Sequence, residues 1–282
     1  MNFRDLACKH LSQYKMDVLG VQEDGIFPYH CQDIPKSHIL PITHKQDNIL
    51  EKYRAPFWRS DYARTIKLHQ FFHHLNSSQA LCINLFYPLI VENALDLFLW
   101  FLCIEPGVNL CALFEKESEK ERAVRRTSFD FYVQQATASK IFVEVKYTEH
   151  GFGQAKKDDE HRAKFHKTYL PLVEKSPFMV RECQEEDFFL DHYQILRNLV
   201  HISDSDYVVL LFPSTNTAIA KEAAHARDTL LTGAGRNRLR IVFLEEFVAS
   251  LEDQSIGSSL DGYYQDFRAK YLPYGTAGKH SG

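Results

Sequence analysis

The stretch TSFDFYVQQATASKIFVEVKY, from Thr127 to Tyr147, contains two short runs joined by a small polar bend. In both runs, β-branched or aromatic residues recur at every second position, from 129 to 133 and from 141 to 145. A period of two in residue types that favour strands predicts an antiparallel hairpin. The intervening positions hold Asp130 on the first strand, and Glu144 and Lys146 on the second.

The position of the bend decides whether these polar side chains meet. With the bend centred on Thr137, Asp130 lies opposite Glu144, and Lys146 follows two residues later on the same face. Two facing carboxylates repel each other, so the pair requires a bound cation or a raised pKa. A register slip of one residue would separate the carboxylates and leave an ordinary cross-strand salt-bridge ladder.

Composition places the chain among globular proteins. Its 282 residues are 45% hydrophobic and 25% charged, enough for one elaborated domain or two. The formal net charge of -4 argues against a protein that coats nucleic acid. Between Lys120 and Lys167, however, eleven Lys or Arg face seven Asp or Glu. This local excess is either a solvated surface or a basic groove.

Cysteine usage and hydropathy bear on localisation. The six cysteines form no CxxC pair, and no secretory hydrophobic segment follows Met1. The most apolar run, Leu95 to Ile104, is too short to span a bilayer. We therefore expect a cytoplasmic protein without a membrane association.

Along the chain, the patterns predict an N-terminal arm, a main domain and a tail. Residues 1–60 are repeatedly interrupted by Gly and Pro and are expected to pack on the core, whereas residues 273–282 are small, polar and expected to be flexible. Within residues 61–272, a helix from about Leu89 to Leu102 contains Glu92, and the run LCALFEK predicts a strand before the hairpin. Buried strands at 207–213 and 239–244 alternate with helices, which predicts an α/β fold.

This order of elements resembles the PD-(D/E)xK nuclease superfamily, although Phe129 replaces the proline that names the motif. The resemblance implies a restriction-endonuclease-like mixed β-sheet flanked by helices. It also implies that Asp130, Glu144 and the backbone carbonyl of Val145 bind Mg²⁺, for which Mn²⁺ can substitute. Lys146 would position or activate the attacking water. Glu92 would complete the catalytic set, with Asp96 one turn later as the alternative.

Further residues are predicted to contact the substrate. Gln194 matches a helical glutamine that is frequent in branches of the superfamily, and Arg197 follows one turn later. Lys156 and Lys157, with Arg162 and Lys164, belong to the basic segment after the hairpin. The resemblance thus predicts a Mg²⁺-dependent DNA endonuclease of restriction or defence type, acting on double-stranded DNA as a homodimer. Two alternatives stay open: a non-catalytic nucleic-acid-binding or scaffold protein that kept the fold, and an RNA-directed nuclease.

Overall fold

The computed structural model describes residues 2–29, 32–121, 125–135 and 139–272. The chain divides into two compact units, one formed by Met1–Phe101 with Leu244–Gly282 and the other by Leu102–Phe243. The predicted bend residue Thr137 and the predicted flexible tail at 273–282 lie outside the described residues. The predicted arm, main domain and tail, with boundaries at residues 60 and 272, stay a prediction.

Helices and strands alternate through the second unit, while helices dominate the first. The strands are β1 (Gly25–Tyr29), β2 (Gln32–Lys36), β3 (Cys111–Glu117), β4 (Ser128–Gln134), β5 (Lys140–Val145), β6 (Tyr207–Phe212) and β7 (Leu239–Phe243). The α-helices are α1 (Phe3–Asp17), α2 (Glu51–Arg59), α3 (Asp61–Thr65), α4 (Ser78–Val91), α5 (Leu95–Phe101), α6 (Asp159–Lys164), α7 (Leu170–Glu174), α8 (Glu186–Asp191), α9 (Tyr193–Leu199), α10 (Thr217–His225), α11 (Gly233–Arg236), α12 (Leu244–Gln254) and α13 (Tyr263–Tyr271). Short 3₁₀ segments occupy Ile42–Asn48 and Arg181–Gln184, and π-helical turns occupy Phe165–Tyr169 and Ala226–Leu230.

The second unit is built on a five-stranded mixed sheet with the order β3-β4-β5-β6-β7. The first three strands form an antiparallel meander, and β6 and β7 then add in parallel orientation. Parallel pairing requires a crossover connection, which the segments α6–α9 and α10–α11 provide. The predicted α/β class, a mixed sheet flanked by helices, is confirmed. In the first unit, β1 and β2 form a separate antiparallel hairpin.

The register of the central hairpin agrees with the sequence prediction. The pairs of β4 and β5 run from Gln134↔Lys140 to Phe131↔Val143, and each pair is symmetric about position 137. Continued by one residue, this register puts Asp130 opposite Glu144. On the other side of β5, Glu144 pairs with Leu210 of β6, so it lies in the centre of the sheet.

One hydrophobic cluster attaches the crossover helices to the sheet. It joins strand residues such as Phe142, Val208 and Leu210 to crossover residues such as Phe189 and Leu196, all buried. Burial of each such side chain stabilises the fold by about 1.5–3 kcal/mol. The helix that carries Gln194 is therefore fixed on the sheet that carries Glu144.

In the first unit, the prediction of a helix from Leu89 to Leu102 was wrong. Helix α4 instead continues through Pro88 to Val91, and α5 begins only at Leu95. A proline inside a helix leaves the carbonyl four residues earlier without its N–H partner. Here the hydroxyl of Tyr263 donates to that carbonyl, on Asn84, at 2.7 Å. The break comes later, at Asn93, which has a φ of 54°.

No single helix in the described part of the chain has both the length and the apolar composition to cross a membrane. The pair α4 and α5 passes that test only when the two are taken together, and they are bent by 115°.

Candidate active site

Asp130 lies where the backbone pairing of β4 and β5 ends. The last backbone pair is Phe131↔Val143. Beyond it, Oδ2 of Asp130 accepts a hydrogen bond of 2.7 Å from the backbone N–H of Val145. The aspartate side chain thus replaces the next hydrogen bond between the strands, and its carboxylate is held beside the strand that carries Glu144.

Both β3 and β4 deviate from regular strand geometry at this point. Phe131 packs on Phe114, whereas Phe129 packs on Phe142, whose side chain lies on the other face. The predicted alternation of 129, 131 and 133 on one face is therefore wrong at its first position. The register of β3 with β4 sets Glu115 opposite Asp130, and Glu115 has a φ of 52°. Few non-glycine residues adopt a positive φ, so Glu115 interrupts the regular geometry of β3 at the position opposite Asp130.

Glu144 and Lys146 form a buried ion pair. Lys146 Nζ lies 3.0 Å from Glu144 Oε1, and the two side chains are 10% and 6% exposed, respectively. Burial alone lowers the pKa of Lys146. The carboxylates of Glu144, Glu149 and Asp130 outweigh that effect and raise the pKa above its usual range. The lysine is thus held as an ammonium ion at the centre of the site.

The electrostatic cost of the site falls on Asp130. Burial raises the pKa of its carboxyl well above the ordinary value, and the charges of Glu144 and Glu115 raise it further. Lys146 and the N–H of Val145 act in the opposite direction, but they do not compensate. Glu115 is a site residue that the sequence analysis missed. It lies on the neighbouring strand β3, at the position opposite Asp130.

This donor set fits a hard divalent cation. In the residues that the structure describes, no three His, Cys, Asp or Glu side chains converge as a metal-binding group. The site offers two neighbouring carboxylates, Asp130 and Glu144. Mg²⁺ is commonly held by one or two carboxylates while it keeps several waters. A cation there would also relieve the repulsion that raises the pKa of Asp130. The carbonyl of Val145 stays a predicted ligand.

Gln194 connects helix α9 to the carboxylates. Its Nε2 donates to Oε1 of Glu144 at 3.0 Å, and its backbone N–H donates to the carbonyl of Gly153 at 3.3 Å. Of the predicted site residues, the structure therefore brings Asp130, Glu144, Lys146 and Gln194 together.

Two residues that belong to no sequence motif, Asn216 and Glu222, fix the chain that follows β5. Asn216 donates from Nδ2 to the carbonyls of Tyr147 and Glu149, at 3.0 and 2.9 Å. Oε2 of Glu222 accepts from the backbone N–H of Phe152 at 2.8 Å. The ring of Phe152 in turn lies 5.7 Å from Nζ of Lys146. Segment 150–154 forms one wall of a cleft of about 590 Å³ that also includes Glu222.

Arg197 lies one turn after Gln194 on α9. Its guanidinium is 5.0 Å from the ring centroid of Tyr193 and 5.8 Å from that of Tyr169. Its Nε donates to the hydroxyl of Thr127 at 3.0 Å. The predicted role of Arg197 in binding substrate is untested by these contacts, which fix its position beside the site.

The predicted basic segment is partly neutralised by acidic residues. Lys156 is exposed, but Nζ of Lys157 lies 3.0 Å from Asp191 and 3.8 Å from Asp187. Arg162 pairs with Glu186 and with Asp187. A positive surface over this segment is therefore weaker than the count of basic residues indicates.

Glu92 has its own partners within the first unit. It caps α4, and its carboxylate accepts hydrogen bonds from the hydroxyls of Tyr53, at 2.8 Å, and Ser259. These two hydrogen bonds lower the pKa of Glu92. Asp96 accepts from the backbone N–H of Leu97 at 3.1 Å. Whether Glu92 or Asp96 serves as a catalytic carboxylate stays a prediction.

Comparison with known proteins identifies the family. The family model REase-ARP, described as "Restriction Endonuclease associating with ARP", matches residues 8–272. The chain belongs to the REase-ARP family. The mixed sheet flanked by helices is consistent with a restriction-endonuclease-like fold, and membership of REase-ARP indicates a nuclease or defence role. No curated protein and no solved structure matches the chain significantly.

Proposed function

We propose that the chain is a Mg²⁺-dependent phosphodiester hydrolase of the PD-(D/E)xK type, a DNA endonuclease of restriction or defence function. One observation carries the proposal: within a restriction-endonuclease family, the carboxylate of Asp130 is held on Val145, beside the buried ion pair of Glu144 and Lys146. Two carboxylates and a lysine provide what hydrolysis of a phosphodiester needs, a cation site and a fixed positive charge.

Asp130 and Glu144 would hold the cation, with the carbonyl of Val145 as a further ligand. Mg²⁺ supplies neutralisation of the scissile phosphate and a bound water of lowered pKa. The surrounding residues orient the ligands before the cation binds. The N–H of Val145 holds Asp130, and the amide of Gln194 holds Glu144. Such supporting hydrogen bonds set the direction of ligand lone pairs.

Lys146 would act through its charge. Its ammonium group is paired with Glu144 and is only 10% exposed, so its field is weakly screened by water. In that position it stabilises negative charge that develops on the phosphate oxygens and orients the attacking water. The substrate that we propose is double-stranded DNA, cleaved by a homodimer. Association with ARP, which the family description names, is part of the same proposal.

Replacement of Lys146 tests the catalytic assignment. We expect Lys146→Ala, and Lys146→Met with its longer side chain, to lower Mg²⁺-dependent cleavage by at least about 100-fold, because a fixed charge at the phosphate is removed. Circular dichroism and the unfolding temperature establish that each variant is folded. Arg227→Ala is the matched control, because it removes an exposed cation already paired with Asp228. Full activity in a folded Lys146 variant would refute the role of Lys146.

Two further measurements separate the proposal from its alternatives. Duplex DNA, single-stranded DNA and RNA are offered side by side, and preferential cleavage of RNA would replace the DNA endonuclease with an RNA-directed nuclease. Mn²⁺ binding is measured by titration calorimetry for the wild type and for Glu144→Gln. We expect heat of binding that the variant loses. A wild type with no Mn²⁺ affinity and no cleavage would favour a non-catalytic binding or scaffold protein.

A further inference from the structure

A cluster of cations lies beside the proposed catalytic carboxylates, over two tyrosine rings. Arg197 lies over both Tyr193 and Tyr169, and Nζ of Lys164 lies 5.5 Å from the centroid of Tyr169. Lys164 also donates to the backbone carbonyl of Arg125 at 2.7 Å, so a third cationic residue lies next to the cluster. Both cations on the tyrosines are only half-buried, so a ligand can reach them.

A buried anchor fixes the head of Arg197. The hydroxyl of Thr127 accepts from Nε of Arg197, and Thr127 itself donates to the carboxylate of Glu121 through both its backbone N–H and its hydroxyl. Glu121, only 2% exposed, also accepts from the hydroxyl of Tyr169 at 3.2 Å. Within the described part of the chain, the terminal amino groups of Arg197 have no hydrogen-bond acceptor. The guanidinium is thus held through Nε, and among the described residues its terminal amino groups are left for a ligand.

The charges in this cluster do not balance. Burial lowers the pKa of Lys164, and the nearby charges of Arg197 and Arg125 lower it further. Glu121 and Glu160 act in the opposite direction and compensate only in part. Glu121 is already committed to Thr127 and Tyr169. Cations that crowd one another without enough counter-charge are stabilised by a bound anion.

The cluster is close to the proposed scissile position. Arg197 follows Gln194 by three residues on α9, so their β-carbons are about 5–6 Å apart. Gln194 donates to Glu144, and Thr127, which accepts from Arg197, precedes Asp130 by three residues. Successive phosphates along one strand of DNA are also separated by only a few ångströms of helix axis. A strand with one phosphate at the carboxylates would bring the next within reach of Arg197.

We propose that Arg197 and Lys164 form a subsite for the phosphate next to the one that is hydrolysed. This inference rests on the proposed nuclease function and adds the feature that sets the strand in register. Arg197 binds through its planar fork, which suits a phosphate, and Lys164 contributes a point charge. The subsite is a positioning device, because neither residue touches the reacting atoms.

The first test measures binding without cleavage. Affinity for a synthetic duplex is determined in EDTA over a range of salt concentrations for the wild type, Arg197→Met and Lys164→Met. Methionine keeps an unbranched stem over the tyrosines. We expect each substitution to reduce the slope of log K against log salt by about 0.9, which corresponds to one phosphate contact. Arg227→Met, whose cation already pairs with Asp228, should leave the slope unchanged. Unchanged slopes for both cluster variants would overturn the subsite.

The second test identifies the phosphate. In a duplex whose cleavage position has been mapped with the wild type, one phosphate on either side of the scissile one is replaced by a neutral methylphosphonate. One of the two replacements should slow the wild type by about 10- to 100-fold, as expected for a charge-assisted hydrogen bond. The same replacement should not slow Arg197→Met further, because the two changes remove the same interaction. Additive losses would show that Arg197 has only a structural role.

The outcomes distinguish this inference from the proposed function. Cleavage by the wild type with unchanged salt slopes and additive losses would refute the subsite and leave the nuclease intact. A wild type that binds DNA with the expected slopes but cleaves nothing would refute the nuclease and retain the anion site.

Discussion

Asp130 has a structural role in the sheet and, in the proposed function, a second role as a metal ligand. Its carboxylate accepts the N–H of Val145 in place of a backbone group, so it completes the pairing of β4 and β5. For that role a neutral amide would serve as well. The negative charge is costly, because the half-buried carboxylate lies beside the charges of Glu144 and Glu115. A carboxylate that is electrostatically destabilised in a site is the pattern expected when function is favoured over stability.

Asp130→Asn should therefore stabilise the protein in the absence of metal. The amide oxygen can still accept from Val145, while the buried charge and its repulsion are removed. We expect the free energy of unfolding in EDTA at neutral pH to rise by about 1 kcal/mol or more, since one unit of pKa shift corresponds to about 1.4 kcal/mol. Thermal unfolding measures this change, and cleavage with Mg²⁺ should be lost in the same variant.

Asp130→Ala is the contrasting substitution. It removes the charge but also leaves the N–H of Val145 without its acceptor, which costs about 1–3 kcal/mol. The alanine variant should thus be less stable than the asparagine variant. A decrease in stability for Asp130→Asn would contradict the assignment of Asp130 as the strained group.

At the residue scale, some of the site could be predicted and some could not. Asp130, Glu144 and Lys146 were accessible because a period of two and one symmetric register bring them together. Glu115 was not, because its relation to Asp130 depends on the pairing of β3 with β4, which a charged connector separates along the chain. Its positive φ also interrupts the alternation that a sequence pattern assumes.

At the scale of the elements, the segment 151–153 after β5 connects Glu222 to the surroundings of Lys146. A side chain at Gly151 would place its Cβ 2.5 Å from Oε1 of Glu222, so the carboxylate would have to move. The other oxygen of Glu222 holds the N–H of Phe152, whose ring contacts Lys146. A side chain at residue 151 would thus displace the carboxylate that holds Phe152 beside the lysine.

Gly151→Ala should reduce cleavage more than stability. A displacement near a catalytic group can cost a large factor in rate, and we expect a loss of tenfold or more in kcat. Gly233→Ala is the matched control in the same unit, because its Cβ would meet nothing within 4 Å and no positive φ is involved. Its activity should be that of the wild type, and its stability should change by no more than about 1 kcal/mol.

Steady-state kinetics of Gly151→Ala, Glu222→Ala and the double variant complete the test. Because both substitutions disturb the same hydrogen bond, from Phe152 to Glu222, their effects should be strongly non-additive. Independent losses from the two substitutions would show that the contact between residue 151 and Glu222 does not transmit the effect.

Two element-scale predictions illustrate the limit of local patterns. A helix was expected to begin at about Leu89, yet α4 continues through Pro88 because the hydroxyl of Tyr263 satisfies the carbonyl that proline leaves unpaired. The basic segment was expected to be either a solvated surface or a basic groove, and the structure pairs Lys157 and Arg162 with acidic residues of α8. In both cases the deciding partner lies far along the chain, where neither periodicity nor composition can locate it.

At the scale of the whole molecule, long-range polar contacts hold the first unit together. Nζ of Lys270 donates to the carbonyl and side-chain oxygens of Asn48, at 2.6 and 2.8 Å. Asn84 donates to Asn48 and to the hydroxyl of Tyr271. Burial lowers the pKa of Lys270 well below its usual value. The α/β class could be predicted from alternating elements, but this network could not, since its partners come from opposite ends of the chain.

Both units also contain buried or half-buried histidines, which should make the molecule sensitive to acid. Burial is the main cause that lowers the pKa of His38 to about 4, and those of His74 and His201 to about 3. In the unfolded chain the ordinary value is 6.5. Below pH 6.5 the unfolded state therefore binds protons that the folded state does not. Stability should be fully present above about pH 6.5 and fall as the pH decreases towards the folded values.

His74→Phe isolates one of these contributions. Phenylalanine keeps a ring that can stack on Phe71, and it removes the buried Nε2 of His74, which has no hydrogen-bond partner in the described part of the chain. Urea unfolding is followed by the fluorescence of Trp58 and Trp100, which belong to the same unit. At pH 7.5 the histidine is neutral in both states, so the difference between the variant and the wild type reports packing alone. At pH 5.5 that difference should shift in favour of the variant by about 1 kcal/mol, because only the wild type loses the protonation contribution. A difference that stays constant between the two pH values would show that His74 does not contribute to the acid sensitivity.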